Sequence, residues 1–148
     1  MKIHILLGSK SDSAVGDKII NTLKQFDIEY KLDVASAHRT PDRVKSLVEE
    51  SDADVFIGVA GLAAALPGSI AAHTTKPVVG VPVSGKVNLD SILSIVQMPP
   101  GIPVAAVGLD RGDNAALLAV EICALKDQKL AKQLEEYRER MRKKVTGE

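Results

Sequence analysis

Aromatic side chains are almost missing from this chain: two Phe, two Tyr and no Trp occur among 148 residues. Base stacking, carbohydrate platforms and aromatic cages all need rings, so those recognition modes have little to work with. A charge surplus is missing too, because 19 Lys and Arg balance 19 Asp and Glu. Nucleic-acid surfaces carry a basic excess, and none is present here. The one cysteine cannot form an internal disulfide, which fits a reducing cytoplasm. Long hydrophobic runs are also lacking. Met1-Lys2 leads straight into an apolar stretch that stops at Gly8, too short for a secretory signal or a membrane span.

What remains is a core-forming composition. Hydrophobic residues make up 45% of the chain, mostly Ala, Val, Ile and Leu, which excludes disorder and suits a single domain over 1–148. A net charge of zero leaves self-association as a fair expectation.

Short apolar runs alternate with helical patterns from end to end. The runs are Ile3 to Leu7, Ile28 to Val34, Val55 to Val59, Val78 to Val83 and Pro103 to Leu109. Val15, Ile19, Leu23 and Phe26 follow the first at helical spacing, with Asp12 or Ser13 as the cap. Thr40-Pro41 opens the second helix, Thr40 capping and proline suiting the first turn. Later helices are expected over Ala63 to Thr74, Leu89 to Gln97 and Asn114 to Leu125. Nearly continuous apolar strands suit a parallel sheet covered on both faces. The expected fold is therefore α/β: a flavodoxin-like, three-layer α/β/α domain with about five parallel strands and an extra C-terminal helix near 127–144. In that helix Leu130, Leu134, Tyr137, Met141 and Val145 form one stripe. The stripe packs on its own domain or reaches a neighbouring subunit.

In such sheets ligands sit beyond the carboxyl ends of the strands, so the loops there are read for chemistry. Gly8 to Asp12 brings a glycine, Ser9, Ser11 and Lys10 to a helix N-terminus, which reads as a phosphate site or as a plain helix cap. It has neither Walker A nor dinucleotide-fingerprint spacing. In the second loop His38 and Arg39 follow small residues and precede a proline-opened helix. Histidine both gives and takes a proton near neutrality, and arginine offers a planar fork for carboxylate or phosphate. The same pair also reads as an ordinary surface His-Arg. The third loop, Ala60 to Gly68, suits a dry, small-residue enclosure or a tightly packed helix start. His4 is expected to be structural, His73 a helix C-terminal cap, and Cys123 buried. No grouping of Cys, His and carboxylates has metal-ligand spacing, so no metal is expected.

Longer strings add to this reading. Gly-Ser-Lys-Ser-Asp (8–12), Ser-Ala-His-Arg-Thr-Pro (36–41), Leu-Pro-Gly (66–68), Gly-Val-Pro-Val (80–83), Ser-Ile-Val-Gln-Met-Pro (94–99), Gly-Ile-Pro-Val (101–104) and Asn-Ala-Ala-Leu-Leu-Ala (114–119) occur in this order. In that order they resemble the PurE family of purine-biosynthesis enzymes. The resemblance implies an octamer of flavodoxin-like subunits without metal or organic cofactor. It implies transfer of a carboxylate from the exocyclic nitrogen of N5-carboxyaminoimidazole ribonucleotide to ring carbon 4, through released carbon dioxide. His38 would be the general acid/base, Arg39 the phosphate contact, Asp12 the holder of ribose hydroxyls and Ser9 a contact at or near the phosphate. Ser11 would add a further substrate contact, and Ser36 and Ala37 would frame the pocket. The loop bearing Gly61, Leu62, Ala63 and Leu66 would close over the carbon dioxide. The chain departs from many bacterial members at Ala65, where they carry histidine. A second class of the family carboxylates aminoimidazole ribonucleotide directly, and a non-catalytic nucleotide-binding subunit is the reading from outside enzymology.

Overall fold

The computed structural model describes residues 1–147. Strands β1 (Lys2–Leu7), β2 (Glu29–Val34), β3 (Val55–Ala60), β4 (Val78–Pro82) and β5 (Ala105–Ala106) form one sheet in the order β2-β1-β3-β4-β5. Every pairing is parallel. Helices α1 (Ser13–Leu23), α2 (Pro41–Glu49), α3 (Leu66–Ala71), α4 (Asn88–Val96), α5 (Gly112–Ala124) and α6 (Gln128–Thr146) cover it. The flavodoxin-like strand order follows from the right-handed crossovers that parallel strand–helix–strand units adopt.

Alternation along each central strand splits the interior in two. Ile3, Ile5 and Leu7, with Val55, Ile57, Val59, Val79 and Val81, face α1, α5 and the start of α6. Leu6, Phe56 and Val78 face the other way, onto Val44 and Val48 of α2, Ile70 of α3 and Ile95 of α4. Strands β3 and β4 are buried throughout, which is why their sequences read as unbroken apolar runs. The register sets Gly58 beside Gly80, and α3 settles into the slot they leave. A Cβ on Gly58 would lie 3.1 Å from Pro67 Cα, and one on Gly80 would lie 2.6 Å from Ile95 Cγ2. This close approach fixes where α3 begins and hence where the loop before it must turn.

Two expected elements come out shorter. The fifth strand, expected over Pro103 to Leu109, pairs only at Ala105 and Ala106. Pro103 has no N–H to give, and Asp110 turns the chain at φ 57°. The third helix starts at Leu66 rather than Ala63, because residues 61–65 form a turn with Leu62 at φ 53° and Ala64 N–H bonded to Gly61 O. In α6, Leu130 is buried and Leu134 and Tyr137 pack on the core, so this half of the stripe serves its own fold. Met141 and Val145 stand exposed beyond it.

His4 is fully buried in β1. Its Nε2 lies 3.0 Å from Asp33 Oδ2 and its Nδ1 3.0 Å from Ser51 Oγ. A carboxylate only accepts, so Nε2 carries the proton and the Ser51 hydroxyl donates to Nδ1. Burial holds this imidazole below its ordinary value, although Asp33 pulls the other way. Burial pushes Asp33 up, but hydrogen bonds from His4 and Lys31 outweigh it and keep the carboxyl low. A histidine with a lowered native pKa binds fewer protons folded than unfolded, so its stabilisation is complete above about 6.5 and is lost as pH falls towards the native value. The melting temperature is therefore expected to drop as pH goes from about 7.5 to about 5, with a flatter slope in His4→Phe. Equal slopes in the two proteins would show that His4 does not titrate on unfolding.

His73, expected to cap the end of its helix, instead sits beyond α3 with Nδ1 3.8 Å from Glu49 Oε1 of α2. Backbone N–H groups close the helix end instead, Ala72 onto Gly68 O and His73 onto Ile70 O, each at 3.0 Å. Cys123 is buried in α5, where burial pushes its thiol up.

Candidate active site

The loops after β1, β2, β3 and β4 converge on a cavity of about 640 Å³ at the carboxyl edge of the sheet. That is ample for a small phosphorylated ligand.

The first wall is the loop after β1. Gly8 N–H donates to Val59 O, tying it to β3. A short 3-10 turn, Lys10–Asp12, precedes α1, and it is this turn that is capped. Ser9 Oγ accepts from the Ser11 backbone N–H (3.3 Å) and hydroxyl (2.9 Å), while Asp12 Oδ2 accepts from Ser9 N–H at 3.0 Å. Neither Asp12 nor Ser13 caps α1 as expected, because the Asp12 carboxylate is drawn back to Ser9. Burial pushes the Asp12 carboxyl up, more than Ser9 N–H and the nearby Arg39 charge hold it down. The loop thus presents two serine hydroxyls and one shielded carboxylate to the cavity.

The second wall follows β2. Residues 37–39 form a turn with His38 exposed in its middle. Among the described residues no hydrogen bond engages the His38 ring, so both nitrogens are open to a ligand. Arg39 is tethered: Nη2 donates to Gly8 O (3.0 Å) and Nε to Ser36 Oγ (3.2 Å). The guanidinium therefore straps the second loop to the first. Thr40 precedes α2 but does not cap it, contrary to expectation. Its Oγ1 accepts from Ser36 N–H at 2.9 Å and donates to Ser36 O at 3.2 Å. An unfilled N-cap forgoes about 1 kcal/mol of helix stability.

Small residues make the third wall. Gly61, Leu62, Ala63, Ala64, Ala65 and Leu66 all line the cavity, with Ala60 at the strand end. At Ala65 the wall carries a methyl group and no proton donor. Leu62 is held in a backbone region that costs a non-glycine residue roughly 1 kcal/mol, and its side chain is 76% exposed.

The candidate catalytic and substrate residues taken from the family likeness meet here, namely Ser9, Ser11, Asp12, Ser36, Ala37, His38, Arg39, Gly61, Leu62, Ala63 and Leu66, while Lys10 of the first loop stays outside the lining. Val83, Ser84 and Gly85 after β4 were not chosen, yet they complete the rim. Ser84 N–H is held at 2.8 Å by Asp110 Oδ1, whose own carbonyl accepts from Lys18 Nζ. Burial pushes the Asp110 carboxyl up, but bonds from Ser84 and the Lys18 charge keep it low. Position after a strand was the available signal for Ser84; its chemistry alone gave none. Among the described residues, no group of three or more His, Cys, Asp or Glu could hold a metal ion, and no helix is long and apolar enough to cross a membrane.

A histidine free of internal bonds, a tethered arginine, paired serines and a shielded carboxylate around one strand-end cavity define an α/β enzyme built for a small anionic ligand. The chain belongs to the AIR carboxylase family, which it matches over residues 2–144. It is 60% identical over 144 residues to the N5-carboxyaminoimidazole ribonucleotide mutase of Methanocaldococcus jannaschii, covering 97% of this chain and 92% of that protein. It is 53% identical to a probable N5-carboxyaminoimidazole ribonucleotide mutase of Methanobrevibacter smithii, again over 97% of this chain but only 44% of the relative. The crystal structure of Treponema denticola PurE superposes with a TM-score of 0.91 at 34% identity, covering 99% of this chain and 94% of that one.

Proposed function

We infer that this protein is a purine-biosynthesis mutase that converts N5-carboxyaminoimidazole ribonucleotide into 4-carboxy-5-aminoimidazole ribonucleotide. The observation that supports it best is the exposed His38 ring, bonded to nothing among the described residues, in one cavity with a loop of Gly, Ala and Leu. His38, as imidazolium, donates its proton to the exocyclic nitrogen as the nitrogen–carboxylate bond breaks and carbon dioxide leaves. The electron-rich ring carbon 4 then attacks the carbon dioxide, and neutral His38 removes the proton displaced from that carbon. Nothing is oxidised or reduced, and the proton given in the first step is recovered in the last. Arg39 with Ser9 and Ser11 contacts the phosphate end, and Asp12 accepts from the ribose hydroxyls. Ser36 and Ala37 frame the ring, and the turn from Gly61 to Leu66 keeps water from the released gas.

The assembly inferred is a homo-octamer acting in the cytoplasm. Its support is unpartnered apolar surface: Leu89, Leu93 and Val96 of α4 are exposed, as are both residues of β5 at the sheet edge. Solution mass measurement should give eight subunits; a monomer would overturn this part.

Purified protein should form product from N5-carboxyaminoimidazole ribonucleotide without added bicarbonate. Product only from aminoimidazole ribonucleotide plus bicarbonate would replace the mutase reading with direct carboxylation. Binding without turnover of either would leave a nucleotide-binding subunit.

A further inference from the structure

We propose that Thr40 is a positioning residue for His38, clamping the turn that presents the imidazole to the substrate. The inference rests on the acid/base reading of His38. Its starting point is that Thr40 stands where a cap belongs and does not cap. Its hydroxyl instead takes both backbone polar groups of Ser36, accepting from the N–H at 2.9 Å and donating to the carbonyl at 3.2 Å. The Thr40 N–H donates to that same carbonyl at 2.9 Å. From the other side Ser36 Oγ accepts from Arg39 N–H and Nε, each at 3.2 Å. Both backbone polar groups of Ser36 and its hydroxyl are therefore bonded to residues 39 and 40, and the segment between, with His38 in it, is closed into a small ring.

Thr40 is exposed, so burial does not force its hydroxyl to find a protein partner. Water would satisfy it, and so would the free N–H groups at the start of α2. Choosing Ser36 leaves the helix start uncapped and spends the hydroxyl on the turn. Thr40 is not among the cavity-lining residues, so its influence reaches the substrate through His38 and Arg39. Among the described residues no group holds either nitrogen of His38, which leaves the backbone of this turn to set where the ring stands. A proton that must be delivered to nitrogen and later collected from carbon needs that placement within a fraction of an ångström.

The test compares Thr40→Val, which keeps the shape and loses the hydroxyl, with Thr40→Ser, which keeps the hydroxyl. Thr40→Val is expected to lose kcat by 10- to 100-fold, as an order of magnitude, with KM changed by less than about 3-fold. Thr40→Ser should recover kcat to within about 3-fold of the parent, which a purely shape-based role for the side chain would not allow. A Thr40→Val enzyme with parental kcat, a loss confined to KM, or a Thr40→Ser enzyme as slow as Thr40→Val overturns the clamp. If Thr40→Val does not fold, Thr40→Ala takes its place, and failure of both to fold overturns it as well. His38→Asn is assayed alongside. Full activity there removes the acid/base reading and the clamp with it, whereas an inactive His38→Asn beside a fully active Thr40→Val removes the clamp alone.

Discussion

Replacing His38 with asparagine should lower turnover about a thousandfold while substrate binding changes only a few-fold. Asparagine keeps a polar group of similar reach but cannot exchange a proton near neutrality. His38 lies in a turn, its ring makes no hydrogen bond among the described residues, and it is exposed, so its loss removes no buried pair. Binding should survive because the proposed phosphate and ribose contacts are other residues: Arg39, which straps the two loops, and the Ser9–Asp12 segment. Calorimetric titration with the product nucleotide measures the binding, and product formation measures the chemistry. Full turnover in His38→Asn would sink the mechanism. Loss of binding together with turnover would make His38 a ligand contact rather than a proton carrier.

The second large effect is on stability. Gly112 starts α5 where it crosses α1, and a Cβ there would sit 2.5 Å from Val15 O and 3.0 Å from Ile19 Cγ1. The obstructing atom is backbone in a packed helix, so it cannot swing aside as a side-chain tip would. Gly112→Ala should therefore cost about 3 kcal/mol, on the order of 10 °C in melting temperature. Gly85→Ala is the matched control, since nothing lies within 4 Å of a Cβ there. Parental melting of Gly112→Ala would mean that α1 and α5 separate more readily than their packing implies.

The sheet was legible because its central strands are covered on both faces, and unbroken apolar runs are what such strands need. Its edge was not. The Ile-Pro-Val-Ala-Ala-Val run around β5 has strand composition, yet Pro103 and the turn at Asp110 leave two residues in the ladder. The candidate site was legible loop by loop, since the residues taken from family likeness line the cavity, whereas Lys10, singled out by its strand-end position, does not. What stayed hidden were choices between competing partners. Thr40 has helix N–H groups and Ser36 equally near in sequence, and Asp12 has α1 and Ser9; only folded geometry decides between them. The unusual backbone of Leu62 was hidden for another reason, because leucine has no preference for that conformation. The partners of His4 lie 47 and 29 residues away along the chain, beyond any local pattern.

All of the walls around the cavity spring from one sheet, and among the described residues this chain has no second lobe to swing down over the ligand. On the proposed mechanism, which frees carbon dioxide between its two halves, retention cannot then depend on a hinge within the chain. It has to come from walls that already fit, and from how fast the ring carbon recaptures its neighbour before diffusion carries it off. Enlarging a single alanine or leucine on the third wall would accordingly change the fraction of intermediate that leaks away before it changes how tightly the nucleotide is held.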